Sequence, residues 1–333
     1  MSGAPKPTKP ASQVWGPIAV TALGAIMTGL AINSALQPAE LPYEKAIVDA
    51  LPDAFKAMAL PASDTALQVK KLEWRVPGVR GAVAEAFVAT DADGRNVPLD
   101  WRNNVTEPVL SVDLTMTEVS KVLAAIREHV PSDAVVLSWW DLSRKIRLIG
   151  QRQAPLDDPR ARGLILPAAW HSVSSLVNAS EMAFWGKGVS TAEGEKFTNY
   201  IDALLLDEPR GADALRALAP GKDVYVAVHL SDVWKAAAAR PDRIEIAYRD
   251  FPGAGQSHGV MKATREWISE QKIVGGYAIE PVGNAVRLHY FSSKASSDLL
   301  IAKLLPFSTS NPMQLKHLQL VYQHRGFWIY RLN

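Results

Sequence analysis

The chain has 333 residues, and 36 basic against 34 acidic side chains leave a net charge of +2, so no field of one sign marks it as a nucleic-acid binder. Hydrophobic residues make up 48% and charged ones 21%, a balance that supports a folded core and excludes a disordered chain. There is no cysteine, which excludes disulfides, a thiol nucleophile, thiolate-held zinc or iron–sulfur, and haem attached through C-x-x-C-H.

Residues 10–39 carry no charge, and residues 15–36 (WGPIAVTALGAIMTGLAINSAL) form an apolar run. About 20 such residues cross the hydrocarbon of a bilayer. The pattern predicts a transmembrane anchor over residues 14–37, after a cytoplasmic tail of residues 1–13. Trp15 falls where an indole prefers the interface, and Pro17 sits in the first turn, where its missing N–H costs little. The alternative is a cleaved signal peptide, but its apolar region is shorter and ends in a small-x-small site that INSALQPAE lacks. Lys6 and Lys9 precede the run. They favour a cytoplasmic N-terminus and a body outside the cytoplasm, in the periplasm of a bacterial inner membrane. Ala25 and Gly29 form a small-x-x-x-small pair, weak evidence for a helix partner.

Residues 41–61 read as one or two short helices. Residues 66–113 alternate as strands around the turn ATDADGRN, so residues 38–115 form a helical linker plus a small β-rich region. Residues 117–129 place Val119, Val122, Leu123 and Ile126 on one helical face, with Thr115 or Thr117 as cap and Pro131 as stop. The run DAVVLSWW (133–140) predicts a strand buried on both faces, and Asp141 the N-cap of the helix LSRKIRLI. A strand in ARGLILPAA, a helix and then the apolar turn IDALLL over residues 191–206, the helix GADALRALA, the strand DVYVAVHL and the helix SDVWKAAAAR follow. This alternation predicts an α/β domain over residues 116–333 with a mostly parallel sheet covered on both faces. The remaining strands, RIEIAYRD, YAIEPV, AVRLHYF, HLQLVYQHR and FWIYRL, are joined by short turns and read as antiparallel.

The segment IREHVPSDAVVLSWWD resembles the soluble domain of oligosaccharyltransferases, as do the last strands, QLKHLQLVYQHRGFWIYRL. That resemblance implies that Trp139, Trp140 and Asp141 help bind the hydroxyl residue of an acceptor peptide. Leu142 and Ser143 stand where that family has Tyr-Gly, and one predicted span cannot supply the many membrane helices of sugar transfer. The longer block SWWDLSRKIRLIGQRQAPLDDPRARGLILPAAW, with the anchor and the missing cysteines, resembles the accessory protein found with hydroxylamine oxidoreductase. That resemblance implies a non-enzymatic, membrane-anchored periplasmic accessory or scaffold of hydroxylamine oxidation. It would dock a redox enzyme and carry no cofactor of its own. A peptide- or glycan-binding module of the oligosaccharyltransferase type is the alternative.

Candidate ligand- or partner-binding residues are Trp139, Trp140, Asp141, Arg144 and Arg147. The first three stand at the end of a predicted parallel strand, where open α/β sheets bind ligands. The competing reading packs the two indoles and leaves Asp141 as a cap. Arg144, Lys145, Arg147, Arg152, Arg160 and Arg162 make a basic run beside Asp157 and Asp158. It suits an anion or an acidic partner, or else a solvated helix face with local ion pairs. Gly253, Gly255 and Gly259 stand where a phosphate loop would, with Glu280 as a ribose acid, but the spacing is one residue too long and Glu280 lies in a hairpin. The seven histidines are dispersed and form no metal motif; His289 and His317 read as structural strand residues. No G-x-S-x-G is present, and the sequons at Asn104 and Asn178 matter only in a glycosylating compartment.

Overall fold

The structure is a computed structural model that describes residues 40–48, 67–112, 114–159, 163–186, 191–253, 257–282 and 285–333. The chain divides into two compact units, Met1–Leu41 and Pro42–Asn333, and every element named below belongs to the second. The expected anchor over residues 14–37 lies outside the described residues, as do the expected helices over 49–61. Among the described residues no helix is long and apolar enough to cross a membrane.

The first sheet is an antiparallel meander of β1 (Glu44–Val48), β2 (Val69–Arg75), β3 (Ala82–Thr90) and β4 (Asn96–Asn103). Strand β1 corrects the helical reading of residues 41–48. Glu44 to Val48 pair in register with Arg75 to Lys71, and this pairing overrides local helix propensity. Tyr43 is buried beside it. The turn before β4 is built by Asp91, whose carboxylate accepts the backbone N–H of Asp93 and of Arg95 at 3.0 and 2.8 Å. The expected strand over PVLSVDLTM is reduced to isolated bridges at Val109, Leu110, Ser111 and Leu114.

Helix α1 (Met116–His129) follows as expected, burying Met116, Val119, Val122, Leu123 and Ile126. Thr115 occupies the N-cap position, but its side chain makes no capping bond. The second sheet has the order β10 (Leu318–His324), β11 (Phe327–Leu332), β6 (Val224–His229), β5 (Val135–Ser138). Only β5 and β6 are parallel in it; β11 pairs antiparallel with both β6 and β10. The mostly parallel sheet is therefore corrected to a mixed one. The apolar piece around Ile165 makes a single bridge to Leu110 instead of a third parallel strand, in a segment interrupted by Pro155, Pro159 and Pro167.

Both faces of this sheet are covered, as expected. Every residue of β5 and β6 is buried. Val136 and Ala227 pack with Leu123 and Ile126 of α1 on one face. Val135, Leu137 and Val226 pack on the other with Phe197 and Ile201 of α4 (Thr191–Leu204). Helices α2 (Trp140–Lys145), α3 (Ser174–Trp185), α5 (Glu208–Ala217) and α6 (Asp232–Ala239) complete the layers. The third sheet, β7 (Ile246–Pro252), β9 (Ala285–Phe291), β8 (Tyr277–Val282), is antiparallel throughout, as the sequence predicts for this end of the chain. Helix α7 (Ser257–Glu270) contributes Val260 and Trp267 to a core with Phe251 and Leu288.

Candidate functional site at the end of strand β5

Strand β5 stops at Ser138, two residues earlier than the sequence suggests, and passes almost directly into α2. Trp139 is the extended N-cap residue and Asp141 lies inside the first turn, so Asp141 is not the cap. The turn is tied instead by Ser143, whose backbone N–H donates to the Trp139 carbonyl at 2.8 Å and whose hydroxyl lies 2.8 Å from that of Ser138. After Lys145 the chain widens into a π-helical turn, Ile146–Gly150, and leaves it through Gln151 at φ 51°. Such single π-turns cluster at functional sites.

All six residues of α2 are buried, so its charged side chains must find partners inside the protein. The Lys145 ammonium donates to Asp141 Oδ2 at 3.3 Å, and Lys235, from α6, donates to Asp141 Oδ1 at 3.4 Å. Lys235 also holds Asp232 Oδ1 at 3.0 Å. Burial alone would raise the Asp141 carboxyl, but the Lys235 and Lys145 ammonium groups outweigh it and hold it well below the usual carboxylate range. Burial lowers Lys145, and Asp141 only partly offsets this. Lys235 faces two carboxylates, Asp141 and Asp232, which overcome its burial and raise it. Asp232 is raised by burial, against the pull of Lys235. His229 is pushed down to about 4, by burial and then by Lys235. Its Nδ1 accepts the Ser231 backbone N–H at 3.1 Å, so the ring is neutral at pH 7 with its proton on Nε2.

Arg144 is not on a solvated face, whereas Arg147 is part-exposed. Arg144 is 1% exposed, and its guanidinium donates to three backbone carbonyls, of Asn96, Asp157 and Trp185. It also lies 4.9 Å from the Trp140 ring centre. Burial lowers it to about 10, with Asp157 opposing. Arg144 thus ties α2 to the start of β4 and the end of α3. Arg147 and Arg95 both pair with the buried Asp157 carboxylate. Arg152 donates to the Val130 and Arg127 carbonyls at the end of α1. Arg160 and Arg162 lie outside the described residues.

Trp139 and Trp140 are 1% and 5% exposed. Trp139 meets Phe197 edge-on at 5.1 Å, and Trp140 lies 5.7 Å from Trp185. They are walls, not stacking platforms. With Trp101, Trp185, Asp141, Lys145 and Lys235 they line a recess of about 550 Å³, counting the solvent at its mouth. The structure brings Trp139, Trp140 and Asp141 together there; Arg144 and Arg147 do not line it.

Sequence reasoning missed Lys235, Asp232 and Trp101 as parts of this site. It also missed Glu181, a buried carboxylate on α3 that accepts from Tyr43 Oη, Trp74 Nε1 and Trp185 Nε1 and pairs with Lys45. The available signal was an acid at the i+4 and i−4 positions of Val177 and Trp185, on the apolar face of its helix. His289, as expected, is structural: Trp234 Nε1 donates to its Nδ1 at 2.9 Å, and its Nε2 is 2.9 Å from Glu280. Glu280 is therefore engaged within the hairpin, and Gly255 lies outside the described residues. His317 precedes β10 instead of lying within a strand. Among the described residues no group of His, Asp or Glu converges as metal ligands.

A family model described as HaoA-associated protein HaoB matches residues 11–332. The chain belongs to the HaoB family. The family's description associates its members with HaoA. No curated protein matches the chain. Among solved structures it is similar to the C-terminal globular domain of an oligosaccharyltransferase from Archaeoglobus fulgidus, at TM-score 0.35 and 10% identity over 67% of this chain and 100% of that one. It is similar also to the C-terminal domain of C. jejuni PglB, at TM-score 0.36 and 9% identity over 64% of this chain and 99% of that one. Both resemblances drawn from the sequence are thus met by a comparison. At these scores no residue role passes from either structure to this chain.

Proposed function

We propose that this chain is a membrane-anchored accessory protein that docks HaoA, the hydroxylamine oxidoreductase, at the outer face of a bacterial inner membrane. The observation that carries this reading is the HaoB family match, which runs through residues 11–332 and so includes the apolar run at 15–36. That run has the length and neutrality of a membrane span, and Lys6 and Lys9 favour a cytoplasmic N-terminus. The body then faces the periplasm. It lacks the C-x-x-C-H of covalent haem, so its contribution is to hold the redox enzyme in place. Confining both proteins to a thin layer raises their effective concentration without adding a contact.

The test is fractionation of cells carrying the full chain or a version lacking residues 1–38. The full chain should sediment with membranes and its body should be cut by protease added to spheroplasts. The truncated chain should be soluble, and HaoA should leave the membrane fraction with it. Protection of the body from protease would overturn the periplasmic reading, and an unchanged membrane share of HaoA would overturn docking.

A further inference from the structure

The first sheet ends in two turns of different character. Between β3 and β4 the turn DADGR (91–95) is polar, with Asp91 on backbone N–H groups and Arg95 paired with Asp157. At the opposite end Glu44 lies across from Arg75, and Ala84 across from Asn103. The start of β1, the β2–β3 turn and the loop after β4 therefore share that end. The β2–β3 turn is tight: the Val79 backbone N–H donates to the Val76 carbonyl at 3.0 Å, with Pro77 second and Gly78 third at φ 80°. Asn104 ties the two loops together. Its backbone N–H donates to the Val83 carbonyl at 2.9 Å and its side-chain amide to the Ala82 carbonyl at 3.1 Å. On this tied tip Val79 is 48% and Val105 39% exposed. Pro77 and Arg80 are exposed beside them. Arg75 is held by Glu73, whereas Arg80 has no carboxylate partner among the described residues. Glu44 and Glu107 are exposed at the same end.

The chain enters the body at this same end. Tyr43 is buried, with its hydroxyl on Glu181, so residues 38–42 alone separate a fixed point of the body from the end of the expected span at residue 37. Five residues reach at most about 18 Å. The β2–β3 turn runs on past Glu44 and Arg75, against the direction of β1, by about 7–10 Å. The headgroup layer is itself about 5–8 Å thick on each side of the hydrocarbon. A span ending at residue 37 thus leaves the tip within reach of the bilayer surface.

We propose that the β2–β3 turn and the loop after β4 rest on the phospholipid surface from which the body emerges, with Val79 and Val105 entering the headgroup layer and Arg80 meeting lipid phosphate. The proposal rests on the membrane-anchored reading. Exposed apolar side chains at the end of a rigid turn suit an interface that is apolar below and polar above. The Arg80 stem lies along the apolar part while its guanidinium stays at the phosphates, which it can bind through two parallel hydrogen bonds. Glu44 and Glu107 offset the basic charge, so the contact is shallow and needs no anionic lipid. It adds a second foothold that fixes the orientation of the body on its short tether.

The chain has no cysteine, so Val79→Cys, Val105→Cys and Ala92→Cys each give the full chain one thiol for an environment-sensitive nitrobenzoxadiazole label. All three positions are exposed, and none of the substitutions touches the core. Ala92 stands in the opposite turn, about 30 Å along the sheet. Each labelled chain is reconstituted into phosphatidylcholine vesicles, with or without phospholipid carrying a nitroxide at headgroup depth, and the vesicles are floated. Labels at residues 79 and 105 should shift to the blue and lose emission to the nitroxide, while the label at 92 keeps the emission it has in water. A chain that floats with all three labels equally wet, or equally quenched, overturns the proposal and leaves the anchor standing. A chain that does not float overturns the anchor and the proposal with it. Labels at 79 and 105 that leave water only when HaoA is added give the tip to the partner and overturn the lipid contact.

Discussion

Replacing Asp141 by Ala removes the one carboxylate shared by two buried ammonium groups. Lys235 keeps Asp232 at 3.0 Å, but Lys145 loses its one hydrogen-bond partner among the described residues and keeps only the weaker pull of the Asp100 charge. Breaking a buried ion pair by deleting one member costs about 3–5 kcal/mol, because the surviving charge stays buried. For a body of this size that corresponds to a fall in Tm of about 5–8 °C. The assay is urea unfolding of the full chain in detergent, followed by Trp fluorescence. Adding Lys145→Met to Asp141→Ala removes the stranded charge and should recover about half of the loss, a coupling that independent sites would not show. The pH dependence has a fixed sign. Asp141 is held below the usual carboxylate range, so its stabilisation is present above about pH 4, the unfolded value, and is lost as pH falls toward the folded value. The gap between wild type and Asp141→Ala should therefore be constant from pH 5 upward and narrow below about pH 4. A gap under about 1 kcal/mol at pH 7, or a double variant that is merely additive, would refute the shared-carboxylate account.

Arg144→Lys should cost about 2–4 kcal/mol in the same assay, because an ammonium cannot reach three carbonyls set around a planar fork. His229, held at about 4 against an ordinary 6.5, stabilises fully above about pH 6.5 and loses about 3 kcal/mol as pH falls to about 4; a His229→Gln chain should show a flatter profile across that window. A methyl group at Gly326 would stand 2.4 Å from His229 Nε2. Gly326→Ala should therefore cost about 1–3 kcal/mol, and His229→Ala in the same chain should relieve part of it.

The fold was legible wherever periodicity was strong. Helix α1 shows its buried face in the spacing of Val119, Val122, Leu123 and Ile126, and β5 and β6 show two-sided burial in their unbroken apolar runs. The sheet order was not legible, because the sequence cannot say that β11 inserts beside β6 and turns a parallel pair into a mixed sheet. Nor was β1, whose five residues become a strand only by pairing with β2. At the site, Trp139, Trp140 and Asp141 stood out by composition. Their roles did not, since Asp141 as a cap and Asp141 as a shared counter-ion differ only through Lys235, 94 residues further along the chain. The basic run misled for the same reason. A helix with Arg and Lys at neighbouring positions reads as solvated until a third layer covers it, as α3 covers Arg144 through the Trp185 carbonyl.

Association with HaoA can be read directly by purifying the full chain from native membranes under mild detergent. A tagged chain expressed at its natural level should bring HaoA with it in a fixed ratio, resistant to moderate salt, and the reciprocal capture of HaoA should return the chain. Recovery of the chain as a solitary species, with HaoA absent from both captures, would contradict the account.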